Sequence, residues 1–279
     1  MTFNYRISAA VLLMSLAAVS CGRWAPEQEQ DLSKYALKGN VASIRTIPYS
    51  VDSLDGTRSM MTSADNIYAE FNRDGMTTLL RTFNSKGKQT GETVSEYAPD
   101  GRILSSETRG ASGELREREV YSYRGGRLYS TLQTDGDDSL RKYEEYEYFA
   151  PDSVRITFSY KDGKTAGNRL MVYDSEGNNV RAVIRSLTRQ MSEFNIEYDS
   201  LGRRSVVDSD NMLFGKLRSE MVYDENGLCV KQLMTGDRGD LTLVFKYRLD
   251  SLGNWVVRET YHDNAAWPVK IDEREIKYF

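Results

Sequence analysis

Tyr173-Asp174-Ser175-Glu176-Gly177, Tyr198-Asp199-Ser200-Leu201-Gly202 and Tyr223-Asp224-Glu225-Asn226-Gly227 are one phrase written three times at intervals of 25 residues, with Tyr148 and Tyr123 at the same interval before them and Tyr247 one short of it after. Recurrence at a fixed period of this length marks a repeat architecture. Earlier in the chain a half-period shows as well: Phe71-Asn72-Arg73-Asp74-Gly75 and Phe83-Asn84-Ser85-Lys86-Gly87 are 12 apart, and Tyr97-Ala98-Pro99-Asp100-Gly101 follows 14 later. Each repeat therefore holds two strand-plus-turn units. A strand of about 6 to 8 residues and a turn of about 4 to 6 suit an antiparallel hairpin and leave no room for a helical crossover.

Alternation inside the units agrees. Val154, Ile156, Phe158 and Tyr160 interleave with Arg155, Thr157 and Ser159, and Leu241, Leu243, Phe245 and Tyr247 with Thr242, Val244 and Lys246. Phe194, Ile196 and Tyr198 do the same with Asn195 and Glu197. One face of the sheet is thus apolar and the other charged. The Gly of each phrase falls where a turn needs φ > 0, and the Asp or Asn after the aromatic residue can bond the turn backbone. The recurrent Tyr is structural on this reading, its ring capping the apolar row while its hydroxyl reaches solvent or turn backbone. Such a sheet must curl over itself into a spiral, shell or barrel, because at about 25 cal/mol per Å² an uncovered inner row would forfeit tens of kcal/mol. A first strand is expected over 39–51, followed by a long loop over 52–65.

The 279 residues carry 28% charged side chains but a net charge of only −4, which gives no nucleic-acid footprint. Aromatic residues make up 11%, with 18 Tyr against 9 Phe and 3 Trp, a mix suited to strands that are dry on one side and wet on the other. Residues 1–20 read as a signal peptide: Arg6 is the positive end, Ile7 to Val19 the apolar core, and Ala18-Val19-Ser20-Cys21 a small-residue cleavage site ending in Cys. An apolar run of about 13 residues is too short for a span, which needs about 20. Residues 21–36 are expected to be a tether, and 37–279 a single β-repeat domain.

The last four residues of the leader resemble a bacterial lipobox, with Ala18 where Leu is usual. That resemblance implies cleavage before Cys21, lipidation of Cys21, and an outer-membrane address, periplasm-facing or at the cell surface. The phrase at Tyr198 to Arg203 and Tyr173 to Asn178 resembles the YD repeat of the RHS-repeat family over about Phe71 to Tyr261. The segment Asp250-Ser251-Leu252-Gly253-Asn254-Trp255-Val256-Val257-Arg258 is similar to the ending of short RHS-like lipoproteins of Gram-negative bacteria. The resemblance implies an all-β antiparallel β-hairpin repeat array of about 25 residues per hairpin, a curled sheet forming a spiral or shell. It implies no toxin function, since no toxin domain or self-cleaving segment accompanies the repeats.

Catalytic signals are missing. The only His, His262, reads as a loop residue, so Ser-His-Asp catalysis and His-based zinc sites have no material. Cys229 reads as a packed or half-exposed thiol in a strand. The acidic clusters Asp135-Gly136-Asp137-Asp138 and Asp208-Ser209-Asp210-Asn211 lack the Ca²⁺-loop pattern and read as hairpin turns. Glu144, Glu145 and Glu147 could imitate a glycosidase pair but fit an outward strand face better. Neither catalytic residue, metal, nor cofactor is expected. The expected function is a non-enzymatic, lipid-anchored envelope protein with a binding or structural scaffold for a protein or glycan partner, the alternative being a carbohydrate-binding or carbohydrate-active surface protein.

Overall fold

The computed structural model describes residues 32, 35–149, 152–263 and 265–279. Among them lie 19 strands. The first five are β1 (Val41–Val51), β2 (Arg58–Met60), β3 (Ile67–Phe71), β4 (Thr77–Phe83) and β5 (Gln89–Tyr97). Next come β6 (Ile103–Gly110), β7 (Leu115–Arg124), β8 (Arg127–Asp135), β9 (Leu140–Phe149) and β10 (Ser153–Tyr160). Then follow β11 (Thr165–Tyr173), β12 (Asn179–Ser186), β13 (Gln190–Tyr198), β14 (Arg204–Asn211) and β15 (Gly215–Tyr223). The chain ends with β16 (Cys229–Gly236), β17 (Leu241–Leu249), β18 (Trp255–His262) and β19 (Lys270–Tyr278).

From β3 to β19 every strand pairs antiparallel with its sequence neighbour. β1 then closes the ring: on one side it pairs with β3 through Ser43↔Glu70 to Thr46↔Ile67, on the other with β19 through Ser43↔Lys277 to Ser50↔Lys270. The short β2 lies on the far end of β1. Eighteen strands thus make a closed antiparallel barrel. The all-β, antiparallel hairpin expectation holds, but the expected RHS-type spiral or shell is corrected. The β1–β19 ladder joins first strand to last, so the sheet has no free ends around which to spiral.

The turn chemistry is local and runs as the residues dictate. Asp199 Oδ1 accepts the backbone N–H of Leu201 and of Arg203 at 2.9 Å each, Gly202 has φ 72°, and its N–H donates to Asp199 O at 3.0 Å. The same pattern recurs at Asp174, Asp224 and Asp250. Beside each of these turns the ladder slips by one residue, as at Glu197/Tyr198 and Val222/Tyr223, which is a bulge and adds twist. Apart from Tyr173, whose hydroxyl lies 3.8 Å from Met171 Sδ, the recurrent Tyr hydroxyl is not spent on its own turn. It donates to the carbonyl of one of the opening residues of the preceding strand: Tyr97 to Thr77, Tyr123 to Ile103, Tyr148 to Leu128, Tyr198 to Asn179, Tyr223 to Arg204 and Tyr247 to Cys229, at 2.7 to 3.0 Å. An Arg from the turn before lies over several of these rings, Arg102 on Tyr123, Arg127 on Tyr148 and Arg203 on Tyr223. All these turns, and both ends of the described barrel, share one rim.

Register sorts the side chains into two sets. Ile44, Thr46, Ile67, Ala69, Phe71, Val154, Ile156, Met171, Ser192, Ile196 and Ser219 share one face and are buried. This buried register is the inner, converging face of the closed sheet, and Leu32, Tyr35 and Leu37 pack on it against Val41, Ile44, Ile67 and Phe71. The opposite face carries Arg116, Glu145, Glu147, Arg218 and Glu220, all exposed, with cross-strand ion pairs such as Arg81–Glu92, Glu107–Arg118 and Arg181–Glu193. Two expectations need adjustment. The loop over 52–65 contains β2, and His262 ends β18 opposite Leu243 instead of standing in a loop, because the β17–β18 ladder continues through it.

Candidate functional site: the barrel lumen

An eighteen-stranded ring is wide enough to leave an aqueous interior. Here the interior is not filled by side chains. Leu80, Thr93, Thr108, Tyr121, Gln133 and Phe194 all belong to the inward register and are half-buried, whereas a packed core would bury them. The lining combines rings, hydroxyls and amides with two charged groups about halfway round the ring from each other.

One group stands on β7 to β9. The Glu144 carboxylate, buried at 7% exposure, takes Lys142 Nζ at 2.6 Å and the Tyr146 hydroxyl at 3.1 Å. Glu119 takes the Tyr121 hydroxyl at 2.6 Å. Burial first and the neighbouring carboxylate second push the Tyr121 and Tyr146 phenols far above their ordinary range, so both stay neutral donors.

The other group stands on β18 and β19. Asp272, at 0% exposure, receives Arg258 through Nε at 3.0 Å and Nη2 at 2.8 Å on Oδ2. Lys270 Nζ lies 2.9 Å from Asp272 Oδ1, off the hydrogen-bond direction, and 2.6 Å from Asp65 Oδ2. Burial works against the charged form of Arg258, but Asp272 outweighs it and the net shift is upward. Asp65 is likewise opposed by burial and drawn down by Lys270. Arg274 has no carboxylate in this set. Its guanidinium centre lies 3.4 Å from the Trp255 ring centroid, Nε donates to Thr46 Oγ1 at 3.3 Å and Nη1 to the Tyr35 carbonyl at 3.0 Å. Burial, then the repulsion of Arg258, lowers it to about 9, which still leaves it a cation at neutral pH.

The residues singled out from sequence fall apart in space. Glu144 points in while Glu145 and Glu147 point out, so these three do not converge as a pair. Asp135 Oδ1 holds the N–H groups of Asp137 and Ser139 in a hairpin turn. Asp208 pairs outward with Arg218 at 2.8 Å, while Asn211 bonds Ser192 at 2.7 Å, and no group of three metal-ligating side chains occurs among the described residues. Cys229 is half-buried, and burial raises its thiol above the ordinary range, which works against a thiolate nucleophile. Cys21 lies outside the described residues. Sequence reading missed the Arg258, Lys270, Asp272 and Arg274 group. Its signal was present: in Lys270-Ile271-Asp272-Glu273-Arg274 all three inward positions, Lys270, Asp272 and Arg274, are charged, on the face expected to be apolar.

Neither a family model nor a curated protein matches the chain. Among solved structures it is similar to a porin-like protein from Bacteroides uniformis ATCC 8492, with TM-score 0.43 and 11% identity over 85% of this chain and 96% of that one. A porin-like protein from Bacteroides vulgatus ATCC 8482 follows with TM-score 0.34 and 13% identity over 87% and 99% of the two chains. The structure titled TcdB2-TccC3-Cdc42 gives TM-score 0.31 and 10% identity over 80% of this chain and 15% of that one. The expected kinship with RHS/YD-repeat proteins is corrected by the closure itself, since the β1–β19 ladder makes a ring and not a spiral or shell. The lipoprotein label finds no support either, since it rests on residues before Leu32.

Proposed function

We propose that the chain is a non-catalytic cell-envelope protein, a water-facing barrel held to a membrane through its N-terminal leader, whose lumen takes an extended polar ligand of the glycan class. The observation that carries this reading is the division of faces. A barrel that crosses a bilayer must be apolar outside, and an outward Arg or Lys at mid-depth costs about 2 to 4 kcal/mol. This barrel is charged outside, with Arg116, Arg118, Glu145, Glu147, Arg218 and Glu220 on the outward register. Inside, Tyr121, Tyr146, Phe158, Phe194 and Phe245 stand among Thr93, Thr108, Gln133 and Gln232. Rings stack on sugar faces and the polar groups meet sugar hydroxyls, the mix that orients a neutral polar ligand. Carboxylates of the two charged groups are held by cations or phenols, which favours binding over chemistry.

Attachment at Cys21 and the envelope address belong to this proposal and rest on the leader sequence. Calorimetric titration with soluble oligosaccharides from envelope polymers tests the ligand: binding should weaken at least tenfold, or about 1.4 kcal/mol, in Tyr121→Ala and Phe194→Ala. Failure of every such glycan to bind ends the glycan reading. Intact-mass measurement of the membrane-extracted protein tests the acyl chains on Cys21 separately. Of the exposed apolar side chains, Leu54, Leu187, Leu201, Leu213 and Leu252 stand at separate turns, while Val120 and Leu132 are cross-strand neighbours on the outward register.

A further inference from the structure

The segment that leads into β1 does not run past the barrel; it enters it. Leu32 N donates to Gly75 O at 3.3 Å, the Tyr35 ring meets Phe71 edge-on at 5.7 Å, and Leu37 is buried against Val41, Ile44 and Ile67. Across the seam, the Lys38 peptide is gripped from both sides by one side chain: its N–H donates to Asn254 Oδ1 at 2.6 Å and its C=O accepts from Asn254 Nδ2 at 2.9 Å. Asn254 is fully buried and is itself steadied by the Tyr278 hydroxyl at 2.8 Å. Arg274 completes the cradle by donating to the Tyr35 carbonyl. An apolar cleft for a ring and a leucine, an amide that reads a peptide bond in both directions, and a guanidinium for a carbonyl make a groove for an extended peptide.

We propose that Tyr35–Asn40, with Leu32, is a cis-bound peptide plug, a strap that fills a peptide-binding groove at the termini-side mouth of the lumen and leaves it without unfolding of the barrel. Two features distinguish the strap from the strands. It joins no ladder, being held by side chains and a few backbone bonds. It also contains Ala36 at φ 51°, one of two described non-glycine residues in the left-handed region, so the docked form carries strain that the released form sheds. Because the strap continues into the leader, a pull on the leader bears on the mouth of the lumen. The inference is independent of what the lumen holds.

Ala69 is fully buried in the cluster that the strap completes, which makes it the reporter position. In the full chain carrying Cys21→Ser, Cys229→Ser and Ala69→Cys, the rate of thiol labelling reads how often the strap lifts. Adding Asn254→Ala should speed labelling at least tenfold. Adding Ala36→Gly should slow it about tenfold, the weight of one relieved left-handed residue. Hydrogen exchange of β9 to β13 is followed in parallel and should not change. Equal labelling rates in the three proteins overturn the proposal. So does labelling that rises only together with exchange in β9 to β13, since the strap would then part only when the barrel unfolds. Should Asn254→Ala prevent folding, the slowing by Ala36→Gly still decides.

Discussion

Gly202 shows how far single positions follow from local chemistry. It sits at φ 72° with nothing within 4 Å of where a Cβ would stand, so a substitution there meets backbone strain and no clash. Gly202→Val should cost about 1 to 2 kcal/mol and Ser200→Ala no more than about 0.5 kcal/mol, read as melting temperatures; equal values would remove the turn assignment. Tyr223 marks the other limit. That the ring is structural follows from its recurrence at the end of an alternating strand, but the acceptor of its hydroxyl, the Arg204 carbonyl at 2.7 Å, is set by register across the hairpin. Tyr223→Phe should lower stability by about 1 kcal/mol in a denaturant titration. No change would mean that the carbonyl is as well served by water.

At the scale of elements, β18 and β19 hold the seam. The run Asn254-Trp255-Val256-Val257-Arg258 was visible as a motif, and in the folded chain both of its ends are engaged. Asn254 grips Lys38, Trp255 carries Arg274, and Arg258 pairs with Asp272. Those partners lie on other strands or before β1, and no spacing in the sequence announces them. Asp272→Ala would leave the half-buried Arg258 without its carboxylate while Lys270 keeps Asp65, at a cost of about 3 kcal/mol. The double variant Arg258→Met with Asp272→Leu should recover most of that loss. A thermal unfolding series on the three proteins checks it, and an unchanged midpoint for Asp272→Ala would show that the seam does not depend on the pair.

For the whole molecule, the inward tyrosines tie stability to alkaline pH. Tyr173, Tyr223 and Tyr247 are raised by burial from 10.0 to about 12. The folded state prefers the neutral phenol, so this contribution is complete below pH 10 and is lost as pH rises from there through about 12. Denaturant midpoints should therefore hold level up to pH 10 and fall steeply above it; a level profile through pH 12 would show that the phenols ionise freely. The charged exterior makes a second expectation. The protein lacking residues 1–21 should stay in the aqueous phase with liposomes and pass no current in a planar bilayer. Conductance would mean that the faces are assigned the wrong way round.

By itself the sequence determined most of the strands, the Asx-glycine turns and the antiparallel hairpin order, because each of these is settled within one hairpin by alternation, Asx turns and glycine; β2 and the charged groups on the inner face were not legible in it. Ring closure was decided only in three dimensions. A spiral and a ring of the same hairpins share every local contact and differ in one long-range event, the meeting of β1 with β19 from Ser43↔Lys277 to Ser50↔Lys270. That meeting depends on twist and register accumulated over the whole sheet and on the polar seam beside it, where Asn254 and Arg274 find partners that only the closed form supplies.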